Sequence, residues 1–223
     1  MIDPKKYVLR PANTNDIEFI ADVIIAAEKS GTEHCGLANF YDITVAELKD
    51  YLIQILEEEV DGCELSLSSF LIIEYEGETV AALGGWLEGE NEDEMPSALL
   101  KSNLLGYVLP TEKLLASREK FDIVKPLQIE REQGTYQLEY SFVKPEHTGQ
   151  FLVQWLMEEH EALAKKNHPD VKHMQAHVFA NNKTIVLLHE MMGFYQARVF
   201  KSDNIETLKY FPYNEEILMQ KDI

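Results

Sequence analysis

The last third of the chain constrains the fold more than any other stretch, because two segments follow one another there in a fixed order. LEYSFVKPEHTGQFL at 138–152 runs from a β-branched and aromatic stretch, through Pro145 and Gly149, into a long amphipathic helix. NNKTIVLLHEMMGF at 181–194 reads as a helix closed by Gly193 and followed by another strand. Together they give strand, turn, helix, strand, helix, Gly-Phe, strand. A helix that opens directly after a strand leaves its first backbone N–H groups without intrahelical partners, and such a start is a natural seat for a phosphate. If the chain binds a phosphate-bearing ligand, this helix start is where it would sit.

The charge balance narrows the partners. With 39 acidic against 20 basic residues the net charge is −19, and nucleic-acid binding through the phosphate backbone, which needs a positive surface, is excluded. A cationic small substrate such as an amine is compatible with this charge but not demanded by it. The acidic runs at 57–61 and 88–94 are expected to be solvated loops or helix ends. No apolar run approaches the ~20 residues that span a bilayer, and MIDPKK at the start has no apolar signal segment. Cys35 and Cys63 belong to no CxxC pair. Two reduced thiols in a cytoplasmic protein are expected. The 223 residues fit one domain, 1–223, with an insertion at 88–134 too short for a core of its own.

Periodicity places the remaining elements. Tyr7–Arg10 is a short strand ended by Pro11. Asn13-Thr-Asn15 offers a choice of N-caps, Asn15 with Glu18 has capping-box spacing, and Ile17, Ile20, Ile24 and Ala27 form the stripe of a first helix to about Lys29. Thr44 with Glu47 is a second capping box, opening a helix with Leu48, Tyr51, Leu52, Ile55 and Leu56 on one face. The stretches 69–75 and 78–87 read as a hairpin about Gly77. Helical pieces are expected near 97–105 and 111–121, a fourth strand at 136–143, helices at about 150–166 and 184–192, and strands at 172–179, 194–200 and about 217–221.

This order resembles the GNAT superfamily of acetyl-CoA-dependent N-acetyltransferases over nearly the whole chain outside the insertion. LRPA at 9–12 is similar to the family's opening strand, and VKPE at 143–146 to its V-x-P-E strand ending. NKTIVLLHEMMGF at 182–194 is similar to its N-x-x-A-x-x-x-Y-x-x-x-G-F, and LMQK at 218–221 to its last strand. The resemblance implies an α/β (α+β) fold: a mixed, mostly antiparallel sheet of about seven strands flanked by helices. The fourth and fifth strands would be parallel and splayed, with a helical insertion between the third and fourth. The family's pyrophosphate loop, R/Q-x-x-G-x-G/A, is replaced by Thr148, Gly149, Gln150, Phe151, Leu152 and Val153. Only Gly149 remains a small residue. Bulk at Phe151 and Val153 is expected to shift or block the close approach of phosphate oxygens to backbone N–H groups.

By resemblance the chain would move an acetyl group from acetyl-CoA to an amine of a small molecule or peptide by direct attack. Phe142 and Val143 would contribute backbone partners for the thioester carbonyl and pantetheine, and residues 148–153 with Asn182 would contact the rest of the cofactor. His189 stands at the family's Tyr position, where an imidazolium would protonate the leaving thiolate. Its replacement by Phe is expected to lower turnover with little loss of cofactor affinity. Glu139 is the candidate base, on the face of Ser141 and Val143 by two-residue alternation, with Glu74 as alternate. The competing readings are a helix cap for Asn182, a satisfied helix histidine for His189, and surface carboxylates for Glu139 and Glu74. No metal site is expected, since neither His160-Glu161 nor His189-Glu190 continues as HExxH. Two rival functions stand beside transfer of acetyl: an inactive GNAT-fold ligand-binding or interaction module, and transfer of a different acyl group. Monomer and homodimer both remain open.

Overall fold

The computed structural model describes residues 6–58, 60–89 and 95–223. Its strands are β1 (Tyr7–Pro11), β2 (Phe70–Tyr75), β3 (Glu78–Leu87), β4 (Tyr136–Val143), β5 (His173–Phe179), β6 (Tyr195–Lys201) and β7 (Glu215–Asp222). They form one sheet in the order β1-β2-β3-β4-β5-β7-β6. Every neighbouring pair is antiparallel except β4 and β5, which are parallel. The helices are α1 (Ile17–Lys29), α2 (Gly36–Tyr41), α3 (Val45–Glu57), α4 (Ser97–Val108), α5 (Thr111–Ser117), α6 (Phe121–Val124), α7 (Leu152–Asn167) and α8 (Lys183–Met191). The mixed seven-stranded sheet with helices on both faces, and the helical insertion between the third and fourth strands, agree with the expectation from sequence.

Strand alternation divides the core in two. Ile72 of β2 turns toward α1, α3 and α4, packing with Ile20, Ile24, Leu48 and Leu52. Its neighbours Leu71 and Ile73 turn to the opposite face, with Leu138, Leu156, Met174 and Met219 under α7. Each fully buried Ile or Leu stabilises the fold by roughly 1.5–3 kcal/mol. One polar joint crosses the second core. His160 of α7 bonds through Nε2 to the Leu83 carbonyl at 3.0 Å and through Nδ1 to the Tyr136 hydroxyl at 3.0 Å. A Cβ on Gly85 would lie 2.6 Å from that Nδ1, so only glycine lets helix and sheet meet there.

Four local expectations are corrected. The first capping box is Asn13 with Asp16, not Asn15 with Glu18: Asn13 Oδ1 accepts from Asn15 N at 3.0 Å, and Asp16 accepts from Asn13 N at 2.8 Å. Helix α2 was not expected, since six residues give too short a stripe to read. Glu88 is not solvated. It is buried, accepting from Trp86 Nε1 at 3.1 Å and from Ser97 N at 2.9 Å, where it caps α4. The rest of that acidic run, 90–94, lies outside the described residues, as does Glu59 of the earlier one. Finally, alternation fails within β4. Ala82 pairs with Phe142 but Gly84 pairs with Glu139, so two residues of β4 oppose one of β3. Tyr140 takes up the extra residue at φ 57°. Glu139 and Val143 therefore face opposite sides of the sheet.

Candidate functional site

The bulge at Tyr140 bends β4 away from β5. The parallel pair holds over three positions only, Tyr136 with Met174, Gln137 with Gln175 and Leu138 with Ala176. A glutamine ladder fastens this closed half: Gln137 Nε2 donates to Gln175 Oε1 at 3.1 Å, and Gln175 Nε2 to Gln220 Oε1 at 3.0 Å. Beyond Leu138 the strands part, and a cavity of about 1230 Å³ opens between them.

At the mouth of the split lies the loop leading into α7. Gly149 has φ 78° and Phe151 has φ 59°, so left-handed residues alternate along it. Such alternation turns successive backbone N–H groups toward one concavity. Among the described residues, no acceptor is found for the N–H groups of 149–154; the first bond of the helix is Trp155 N to Phe151 O at 3.1 Å. Phe151 and Val153, the bulk expected to obstruct the loop, both border the cavity. Phe151 is 59% exposed, and Val153 packs partly buried against the core under α7. Phe151 thus keeps the backbone conformation a glycine would take, at a steric cost of about 1–2 kcal/mol. The free donors, the helix start and the width of the cavity fit a pyrophosphate-bearing ligand such as acetyl-CoA.

The site residues expected from sequence converge with one exception each way. Phe142, Val143, Thr148, Gly149, Phe151, Leu152, Val153, Asn182, Glu139 and His189 all border the cavity, whereas Gln150 does not. Glu74 is absent from the cavity wall; it pairs with Arg10 at 2.6 Å on the β1 side of the sheet. Asn182 acts as the N-cap of α8, its Oδ1 accepting from Ile185 N at 3.4 Å.

The roles assigned to His189 and Glu139 do not fit their surroundings. His189 is buried, its Nδ1 donates to the Ile185 carbonyl at 2.8 Å, and its ring meets Phe194 edge-on. Burial lowers its pKa against the opposing pull of that carbonyl, so the neutral ring is favoured, not the imidazolium an acid requires. Glu139 lies 2.8 Å from Arg131 and 3.3 Å from His177 Nδ1. Burial would raise its pKa, but the Arg131 guanidinium and His177 outweigh it and hold the carboxylate at about 2. A carboxylate that gives up its proton so readily is a weak base.

Sequence reading missed the charged floor of the cavity. Glu28 of α1 accepts from the Tyr140 hydroxyl at 2.9 Å, and Lys101 of α4 donates to the same hydroxyl at 3.1 Å. Glu64 is bridged by Lys101 at 3.1 Å and Arg131 at 3.0 Å. The Glu216 side chain of β7 borders the same cavity with no hydrogen bond or ion pair among the described residues. Burial, with the nearby Glu139 charge, pushes its pKa up to about 8. Burial likewise raises that of Glu28. One signal was present: Glu28 follows Ile24 by four residues, on the apolar stripe of α1.

No family model matches the chain, and no curated protein does. Its fold is nonetheless the GNAT fold, shared with many solved structures. An N-acetyltransferase from Staphylococcus aureus Mu50 is 14% identical, covering 96% of this chain and 99% of its own, with a TM-score of 0.65. YncA from Salmonella typhimurium, solved with its cofactor acetyl-CoA, is 13% identical over 97% of this chain and 93% of its own, at 0.55. An agmatine N-acetyltransferase is 12% identical over 98% and 100%, at 0.56. No helix among the described residues is long and apolar enough to cross a membrane.

Proposed function

We propose that this chain transfers an acetyl group from acetyl-CoA to the amine of a small molecule or peptide by direct attack. The observation that carries the reading is the row of unpartnered N–H groups at 149–154, converging beside the parted edges of β4 and β5. Those groups would hold the pyrophosphate, with the start of α7 adding its positive dipole end. The free edge of β4 beyond Leu138 would receive the pantetheine arm and polarise the thioester carbonyl. The attacking nitrogen forms the C–N bond as the C–S bond breaks, its surplus proton passing to a base and the thiolate taking up a proton. Among the cavity carboxylates, Glu28 and Glu216 hold protons more tightly than usual, which suits a base better than Glu139 does. The acyltransferase names of several structural neighbours support the general reaction.

A thermal-shift titration with acetyl-CoA and CoA tests the reading. At 100 times its dissociation constant a ligand stabilises the native state by about 2.7 kcal/mol, a shift of roughly several degrees in a domain this size. A saturable shift followed by CoA release with amine acceptors is expected; no shift at millimolar cofactor removes it. One observation favours the rival, a GNAT-fold binding module without transfer: the residue at the family's acid position is a buried histidine whose pKa is lowered by that burial. Cofactor binding without turnover on any amine or acyl donor would support that rival.

A further inference from the structure

Below the split, Gln137 and Gln175 hold β4 and β5 together on one face of the sheet. The last paired positions are Leu138 and Ala176. By two-residue alternation the next side chains on the glutamine face are Glu139 and His177, one from each strand, where the strands begin to part. They meet there: His177 Nδ1 faces Glu139 Oε1 at 3.3 Å. His177 borders the cavity with a side chain only 7% exposed, and its Nε2 is buried without a hydrogen-bond partner among the described residues.

The pair is ordered in one direction. Glu139 accepts from Arg131 at 2.8 Å, which keeps it an anion: a poor base, but a fit partner for a ring N–H. With the ring neutral, an anion beside Nδ1 favours the tautomer that carries the proton there, and Nε2 is left with a bare lone pair. A buried acceptor with no donor costs free energy until some N–H fills it. The cavity carboxylates are less well placed. Both oxygens of Glu28 are occupied, Oε1 by the Tyr140 hydroxyl at 2.9 Å and Oε2 by Leu37 N at 3.1 Å. Glu216 lies on β7, a strand further from the split, opposite Phe179.

We propose that His177 is the catalytic base: its Nε2 takes the proton that the attacking nitrogen gives up, and Glu139 is the positioning residue that holds the ring by Nδ1. This rests on the acetyl-transfer reading and completes its proton path. As the C–N bond forms and the C–S bond breaks, an N–H bond of the amine gives way to Nε2–H. The imidazolium sits against the Glu139 anion, and the proton passes on to the CoA thiolate, so CoA leaves as the thiol.

The test follows CoA release from acetyl-CoA with 1-aminobutane, 2-phenylethylamine and tetra-alanine as acceptors. The parent, His177→Gln and His177→Ala are compared, with circular-dichroism melts to confirm folding. General base catalysis is worth roughly a hundredfold or more, so kcat should fall by that much in both variants while KM for acetyl-CoA stays within about threefold. Added imidazole should restore turnover to His177→Ala; pyrazole, a ring of the same size but a far weaker base, should not. In nitrogen NMR spectra of the neutral ring, His177 of the parent should carry its proton on Nδ1, and Glu139→Leu should lose that preference. Turnover kept in the variants, repair by pyrazole as good as by imidazole, a loss that imidazole does not repair, or a proton on Nε2 in the parent overturns the inference and leaves acetyl transfer standing. No CoA release from the parent with any of the three acceptors overturns transfer, and the base with it.

Discussion

Phe151 and His189 show how far a residue's identity can mislead about its position. At 151 the family-like pattern wants glycine, and the chain supplies the glycine conformation with a largely exposed aromatic side chain at the cavity border. Phe151→Gly should therefore leave cofactor affinity within about threefold and change stability by less than about 1 kcal/mol, relief of strain being offset by a freer unfolded chain. Phe151→Val should cost more, because a β-branched residue resists φ near 59°. Melting curves and CoA titrations of the two variants separate these outcomes, and equal behaviour would mean the loop does not hold its shape. His189→Phe should destabilise by about 1–2 kcal/mol through loss of the bond to the Ile185 carbonyl. Once corrected for folded fraction, turnover should fall less than about tenfold. A hundredfold loss in a folded variant would return the ring to the chemistry.

At the scale of elements, the joint between α7 and the sheet has a pH signature. Burial lowers the His160 pKa to about 4, while the bond to the Leu83 carbonyl opposes it only in part. The unfolded ring titrates near 6.5, so the folded state disfavours the charged form. Stability from this joint is present above pH 6.5 and is lost as pH falls toward 4, by about 3 kcal/mol in all. Urea midpoints across that window should fall, and the His160 ring signal should titrate far below its usual range. A ring that titrates near 6.5 in the folded protein would sink the argument. The elements themselves were mostly legible in sequence. Thr44 and Glu47 cap α3 as their spacing requires, and strand β4 begins and ends where its β-branched and aromatic run does. The bulge inside β4 was not legible, because nothing in QLEYSFV marks Tyr140 as left-handed. That one extra residue turned Glu139 from an expected base into the partner of Arg131. The floor of the cavity was hidden for a related reason: Glu28, Lys101, His177 and Glu216 come from four elements far apart in sequence, and only the fold assembles them.

Over the whole molecule, the acidic cavity should set stability against function. The folded pKa of Glu216 is about 8, above the usual 4.3 or so of the unfolded side chain. Its contribution is therefore fully present below about pH 4.3 and is lost as pH rises through 8. Glu216→Gln, which cannot ionise, should melt higher than the parent at pH 8, and the gap should close by about pH 4.5. Melting curves of both chains across that range read it directly, and a constant gap would place Glu216 in contact with water.

The parting of β4 from β5 also divides one strand into two dynamic halves. Amides at 136–138 sit between two paired neighbours behind the glutamine ladder. Those past the bulge keep a neighbour on the β3 side alone, although the strand lies in the middle of the sheet. Hydrogen exchange should then break sharply within a single strand, slow before Tyr140 and faster after it. A ligand lying along the open edge would erase that step, so the exchange profile of β4 alone would report whether the split is filled.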